Sequence, residues 1–273
     1  MQSTASTSAS VELAFALEIT EKVGQHQLRS YQPGIDFETK SDGSEVTKID
    51  RESERLIREA IGKKFPNDDI LGEEQGATRG VAGSAGDFNS SGKRRWLIDP
   101  IDGTANFVRG IPIFSTLLAL EQNGEVILGV IHAPAMTETF WAEKGAGAYK
   151  NGNRIATSKV NILGKAQFHF GEPQNILSQG YQSGLNRIIE ATYRHRCFGD
   201  YLNFAYVFEG KAEGALEIGV NAWDLAPMRI LASEAGGRFS DLAGGQTIET
   251  GNCLVSNAAL HADFLTLLGQ TPR

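Results

Sequence analysis

The sequence predicts a mixed α/β protein, α+β in its first half and α/β in its second, and three observations carry that expectation. Apolar residues recur at helical spacing in two early segments, and several short strand-like runs follow, two of them joined by Asn123-Gly124. Beyond residue 160, strand-like and helix-like patterns alternate. Residues 1–10, rich in Ser, Thr and Ala with neither a basic nor an apolar leader region, read as a tail. Residues 11–160 and 161–273 read as two halves with no repeat or low-complexity linker between them.

The elements follow in order. Val11, Phe15, Ile19 and Val23, with Leu13 and Leu17 beside them, predict an amphipathic helix over 11–25. After a loop with Pro33 and Gly34, charge alternates with Ile49, Leu56, Ile57 and Ile61 in a second helix over 48–64. Phe65-Pro66 ends it, because the residue before a proline is pushed out of the helical region. Residues 76–93, rich in Gly, Ala and Ser, read as a mobile surface loop. A short buried strand over 95–99 turns at Pro100, and 103–107 offers a helical turn. Strands over 114–121 and 125–132 form a hairpin, and runs over 138–143 and 147–155 extend an antiparallel meander. The second half reads as strand 167–170, helices 176–193 and 200–209, strand 215–218, helix 225–235, strands 238–240 and 252–256, and helix 259–268. Helices covering a mixed sheet follow, and a cleft between the halves is the default place for a site.

Composition excludes several functions. An excess of 33 acidic over 26 basic side chains argues against a broad nucleic-acid or anionic-membrane footprint. No stretch approaches 18 uninterrupted apolar residues, so no membrane span is expected. Cys197 and Cys253 form no C-x-x-C pair, which removes a disulfide scaffold, a zinc knuckle and dithiol chemistry and fits a reduced, cytoplasmic setting. His132, His169, His195 and His261 show no paired metal spacing and read as solvated or structural, while Trp96, Trp141 and Trp223 read as packing anchors. An anionic ligand would have to be attracted by something other than bulk charge.

The densest chemistry lies in Trp96-Leu-Ile-Asp-Pro-Ile-Asp-Gly-Thr-Ala-Asn-Phe107. Asp99 and Asp102, at the end of an apolar strand and separated by a proline turn, can face one point with the carbonyl between them, an oxygen set that suits Mg²⁺. Gly103 and Thr104 follow and can open a helix whose free amides favour phosphate. Taken alone, the same residues also suit a solvated turn. Ile70-Leu-Gly-Glu-Glu-Gln75 and Trp223-Asp-Leu-Ala-Pro227 add further acids next to apolar runs. The plain alternatives are a surface pair for Glu73 and Glu74 and an N-cap for Asp224.

Gly72-Glu-Glu74, Asp99-Pro-Ile-Asp-Gly-Thr104 with Asn106-Phe107, and Trp223-Asp-x-Ala226 followed by Glu234-Ala-Gly-Gly237 resemble, in order and spacing, the signatures of the inositol monophosphatase family. The resemblance implies a layered αβαβα sandwich of the inositol monophosphatase and fructose-1,6-bisphosphatase type, Mg²⁺-dependent phosphomonoester hydrolysis and commonly a homodimer. It makes Glu73, Asp99 and the Ile101 carbonyl ligands of one Mg²⁺, and Asp99, Asp102 and Asp224 ligands of a second, with Glu73 reaching a third ion through water. It pairs Asp50 with Thr104 to orient the attacking water, gives Gly103 and Thr104 phosphate contacts, and places Lys40, on a looser match, near the metals. Two or three Mg²⁺ ions would offset the acids and admit a phosphate dianion.

The second half should choose the substrate. Arg196-Cys-Phe-Gly-Asp-Tyr-Leu-Asn-Phe204 departs from the small-residue pattern of inositol-preferring members and resembles the bacterial histidinol-phosphate phosphatases of the same family. Asp200, Asn203 and Glu217 would then offer acceptors to an ammonium and an imidazole. Asp200 as an N-cap and Asn203 as a surface residue are the simpler readings. An inositol or broad sugar-phosphate phosphatase is the close alternative. A glycosidase using Glu73 or Glu74 with Asp99, or a non-catalytic phosphate-binding protein, are alternatives of other classes.

Overall fold

A computed structural model describes residues 9–41, 43–81 and 94–269. Residues 1–8 of the tail expected at 1–10, and most of the loop expected at 76–93, its segment 82–93, lie outside the described residues.

The chain opens with α1 (Val11–Ser30), whose first turn is capped by the Ser10 side chain accepting the Leu13 amide. β1 (Phe37–Thr39) and β2 (Glu45–Thr47) make a small antiparallel ribbon, and α2 (Lys48–Lys64) starts from a capping box between Thr47 and Asp50. Then come β3 (Asp69–Gly72), β4 (Gly76–Thr78), β5 (Arg94–Asp102) and α3 (Thr104–Arg109). The meander runs through β6 (Ser115–Gln122), β7 (Glu125–Ala133), β8 (Glu138–Glu143), β9 (Gly147–Lys150) and β10 (Asn153–Ile155). The second half comprises β11 (Gln167–Phe170), α4 (Pro173–Ser178), α5 (Gln182–Ala191), β12 (Arg194–Arg196), α6 (Asp200–Phe208) and β13 (Gly214–Ile218), and then α7 (Ala222–Glu234), β14 (Gly237–Ser240), β15 (Asn252–Asn257) and α8 (His261–Leu267).

Two sheets organise these elements. The larger has the order β10-β9-β8-β7-β6-β5-β3-β4 and is antiparallel throughout except where β3 lies parallel to β5. The smaller, β12-β11-β13-β15-β14, is mixed, with β12, β11 and β13 parallel and the β15 pairings antiparallel. The central strands of the larger sheet are apolar on both faces. Along β5 and β6, Trp96, Ile98, Leu118 and Leu120 pack toward α1 and α2, while Leu97, Leu117 and Ala119 join a core with α6 and α7. Phe168, Leu216 and Leu254 of the second sheet pack with Ile188 of α5 and Phe264 of α8. The layers are therefore α1/α2, large sheet, α6/α7, small sheet and α4/α5/α8, the expected αβαβα sandwich.

Several spans differ from the sequence expectation. The first helix continues past 25 to Ser30, and the strand over 95–99 runs on to Asp102. The run 147–155 is a hairpin, β9 and β10, turned by Asn151 and Gly152 in the left-handed region. The helix expected over 176–193 is two, because Gly180 adopts φ +82° between α4 and α5. β1 to β4 and β12 were not expected. Each has only three or four residues, and pairing with a neighbouring strand rather than local preference creates them.

Candidate active site

The site is organised by a bulge. In a regular strand, residues three apart face opposite ways. In β5, Asp99 pairs with Leu117 and Asp102 with Ser115, so three steps on β5 match two on β6. The extra residue at Pro100-Ile101 returns Asp102 to the face of Asp99. That is the face covered by α7, which carries Asp224. The bulge is held from behind, where Gln27 Nε2 and Thr116 Oγ1 donate to the Pro100 carbonyl at 2.8 and 3.0 Å. Glu73 enters from the end of β3, its amide bonded to the Ile98 carbonyl at 3.1 Å.

Each acid has a distinct setting. Asp224 is the third residue of α7 and accepts the Asn221 amide at 2.7 Å, so Asn221 is the N-cap rather than Asp224. Asp102 Oδ2 accepts Ser115 Oγ at 3.1 Å and the Tyr201 amide at 2.8 Å, tying β5 to α6. Asp99 lies within hydrogen-bonding reach of Glu73 and Asp224, yet its Oδ1 is buried with no protein partner. Asp50 sits behind the cleft on α2, receiving the Thr47 amide at 2.8 Å and Thr104 Oγ1 at 2.8 Å. Thr104 Oγ1 is also 2.9 Å from the Ile101 carbonyl. Lys40 Nζ bridges Glu73 and Glu74 at 2.6 and 2.5 Å, so those two acids are not a bare surface pair.

The cleft, about 260 Å³, is lined by the β5–α3 corner on one side and by Asp200, Phe204, Glu217, Trp223 and Asp224 on the other. Trp223 thus borders the cleft rather than serving only as an anchor. Gly103 adopts φ +87°, and a Cβ there would stand 2.9 Å from the Ile113 carbonyl and 3.1 Å from the Asp200 carboxylate, so only glycine fits this corner. Asp200 is the first residue of α6 at φ +51°, with Gly199 as N-cap, so it does not cap the helix. Asn106 Nδ2 holds its Oδ2 at 2.6 Å. Asn203 is neither a surface residue nor part of the cleft wall. It is fully buried, its Oδ1 accepting the Phe198 and Gly199 amides while its Nδ2 donates to Glu217 Oε2 at 3.3 Å.

Burial dominates the electrostatics. It pushes the Asp99, Asp200 and Asp224 carboxyls well above the usual range, and the neighbouring acids add to the shift. Burial raises Asp102 to about 6 against the opposing hydrogen bonds of Tyr201 and Ser115. Glu217 rises to about 8 for the same reason, opposed by Asn203 and the Glu172 amide. Asp50 is also raised by burial despite Thr47 and Thr104. Burial disfavours the Lys40 charge, but hydrogen bonds to Glu73 and Glu74 outweigh it and hold the ammonium. So many buried carboxyls can all ionise only against added positive charge.

The donors suit a hard cation: all are oxygens, and one buried oxygen is unpartnered. Among the described residues no three His, Cys, Asp or Glu side chains already enclose a metal position. Sequence reasoning missed Gln27, which continues the Phe15, Ile19 and Val23 stripe of α1 and was readable as a polar residue on a buried face. It also missed Ser115. Four histidines read as solvated or structural are held by protein groups: His132, His169 and His261 are buried and hydrogen bonded, and His195 meets Thr192 Oγ1.

The layered sandwich with an acid-lined cleft at the end of β5 is matched by a phosphatase family. The chain belongs to the inositol monophosphatase family, whose sequence model matches residues 8–272. It is 33% identical over 263 residues to a histidinol-phosphatase of Mycobacterium tuberculosis, covering 94% of this chain and 97% of that one. It is 37% identical over 262 residues to a fructose-1,6-bisphosphatase/inositol-1-monophosphatase of Thermotoga maritima, covering 94% and 96%. The structure of the extragenic suppressor protein SuhB from Bartonella henselae superposes with a TM-score of 0.86 at 29% identity, covering 95% and 98%. Among the described residues no helix is long and apolar enough to cross a membrane.

Proposed function

We propose that this phosphatase hydrolyses L-histidinol phosphate to L-histidinol and phosphate with two or three Mg²⁺ ions. The observation that carries the substrate is the cleft wall opposite the β5–α3 corner, where Asp200 and Glu217 present two carboxyls that burial keeps from ionising alone. A leaving group bearing an ammonium and an imidazole would supply the missing positive charge, whereas a ring of neutral hydroxyls would not. Asn203 serves this wall indirectly, by holding Glu217. The histidinol-phosphatase among the relatives agrees with this reading.

Glu73, Asp99 and the Ile101 carbonyl would hold one ion, and Asp99, Asp102 and Asp224 another. Bound there, Mg²⁺ would offset the charge of the phosphate dianion and make water a better nucleophile. The chain's own groups do the rest. Thr104 Oγ1 already donates to Asp50, so its lone pairs are turned to accept a proton from the attacking water while Asp50 takes the hydroxyl proton. Asp50 suits that task because burial raises its proton affinity. Gly103, the left-handed corner that only glycine fits, turns the chain into α3, whose first amides would meet the phosphate. Lys40 balances Glu73 and Glu74 at the edge of the acid cluster.

Geometry speaks against the Glu73–Asp99 form of the glycosidase alternative, because those two carboxyls are within hydrogen-bonding reach, closer than the roughly 5 Å that a retaining carboxylate pair leaves for a sugar. An inositol or sugar phosphate remains the competing substrate, favoured by the Thermotoga relative's name. Steady-state kinetics over histidinol phosphate, inositol 1-phosphate and fructose 1,6-bisphosphate, with Mg²⁺ and with EDTA, separate the readings. Histidinol phosphate should give the highest kcat/KM, and EDTA should abolish turnover. A higher kcat/KM for inositol 1-phosphate would overturn the substrate, and full activity in EDTA would overturn the metals.

A further inference from the structure

A buried carboxylate outside the cleft grips the turn that carries Glu73. Glu54 of α2 is 0% exposed. Its Oε2 accepts the Glu74 amide at 2.7 Å, and its Oε1 accepts the Gln75 amide at 3.1 Å and Arg58 Nε at 2.6 Å. Arg58 extends the grip, donating to the Gly76 carbonyl and to Thr78 Oγ1. On the other side of the same turn, the Glu73 amide is fixed to β5 through Ile98. Gly72 permits this closeness, because a Cβ there would lie 2.4 Å from Glu54 Oε1 and 2.8 Å from Arg58 Nη2.

We infer that Glu54 and Arg58 are positioning residues that clamp the backbone after β3 so that Glu73 faces Asp99, and that they thereby set the divalent-cation affinity of the cleft without touching cation or substrate. A carboxylate is required because every group pointing at it is a donor, two amides and a guanidinium. Glutamine would aim its own N–H₂ at one of them. The charge-assisted bonds also make the turn stiff, and supporting contacts of this kind typically change metal affinity by about 10- to 100-fold when removed. The inference rests on Glu73 being a metal ligand, and the experiment separates the two claims.

Calorimetric titration of the full chain with Mg²⁺ compares the parent with E54Q, E73Q, the double variant and E59Q. Glu59 lies on the exposed side of the same helix, paired with Arg55 at 2.6 Å, and E59Q should leave the Kd unchanged. E73Q and E54Q should each raise the Kd by about tenfold or more. The double variant should be no weaker than E73Q, because Glu54 acts through Glu73. At saturating Mg²⁺, kcat of E54Q should return close to the parent value, which a general loss of structure would not allow. A parental Kd in E54Q, or losses that multiply in the double variant, would overturn the clamp. A parental Kd in E73Q would instead overturn the ligand assignment. Should E54Q not fold, R58K carries the test: it keeps the charge but loses the fork, so a raised Kd supports the clamp and a parental Kd overturns it.

Discussion

Gly171→Ala tests the leaving-group wall from a residue that no motif marks. A Cβ at Gly171 would lie 1.5 Å from Glu217 Oε1, 2.0 Å from its Cδ and 2.1 Å from its Oε2, while ordinary contact begins at 3.4 Å. The carboxyl must therefore retreat by nearly 2 Å, about the difference between 3.4 and 1.5 Å. Its hydrogen bond from Asn203 is already 3.3 Å long, so that retreat breaks it. The substitution adds no backbone strain, as Gly171 is not among the residues with positive φ. Overpacking costs about 1–3 kcal/mol and a lost buried hydrogen bond about 1–3 kcal/mol more, so a loss of roughly 2–6 kcal/mol is expected. At about 2–4 °C per kcal/mol for a chain of this size, that corresponds to a fall in Tm of about 4–24 °C by scanning fluorimetry. Displacing a carboxyl that meets a cationic leaving group should also lower kcat/KM for histidinol phosphate by about 10- to 100-fold relative to glycerol phosphate, which carries no positive charge. A variant that loses stability but keeps the parental preference for the cationic ester would refute the role assigned to Glu217. One that loses neither would refute the packing argument as well.

Two further outcomes follow from the same geometry. Thr104→Val removes the hydroxyl between the cleft and Asp50, so kcat should fall by about 10²- to 10⁴-fold with little change in Mg²⁺ affinity, and an unchanged kcat would refute the proton path. Asp102 and Glu217 titrate near 6 and 8, above ordinary carboxyls at about 4, so the folded chain keeps protons that the unfolded chain has released. Their contribution to stability in EDTA is complete below about pH 4 and is lost as pH rises through 6 and 8, while stabilisation by Mg²⁺, which needs the ionised acids, should grow over that window. Melting curves from pH 5 to 8.5 in EDTA and in Mg²⁺ would show this. A Tm that rises across that range in EDTA, or a Mg²⁺ effect independent of pH, would contradict it.

Legibility in the sequence tracked how local the cause was. α2 was readable over 48–64 from its apolar spacing and from Phe65-Pro66, which closes it, and the structure adds the capping box that opens it. The β6–β7 hairpin was readable from Asn123-Gly124, and both residues adopt positive φ. Glu73, Asp99, Asp102 and Asp224 stood out as acids beside apolar runs, and the structure brings them to one cleft. β3, which positions Glu73, was seen only as an apolar pair, because its strand character comes from lying parallel to β5. Asn203 was assigned to the wrong surface: helical spacing put it one turn from Asp200 but could not show that its amide is consumed by Glu217 and the Phe198-Gly199 backbone. Gln27 and Glu54 had a signal that went unread, a polar residue on the buried stripe of an amphipathic helix.

By itself, then, the sequence determined the fold class, the family and the identity of the clustered acids, since periodicity, turn chemistry and ordered motifs are properties of neighbours along the chain. Only the tertiary structure decided which way those acids face. Asp99 and Asp102 share a face because β5 slips one residue against β6, and Asp200, in a left-handed conformation at the start of α6 and bonded to Asn106, borders the same cleft as Glu217. Both facts depend on strands and loops far apart in the chain. The resulting burial turns a run of ordinary acidic residues into a site that needs cations to hold its charge.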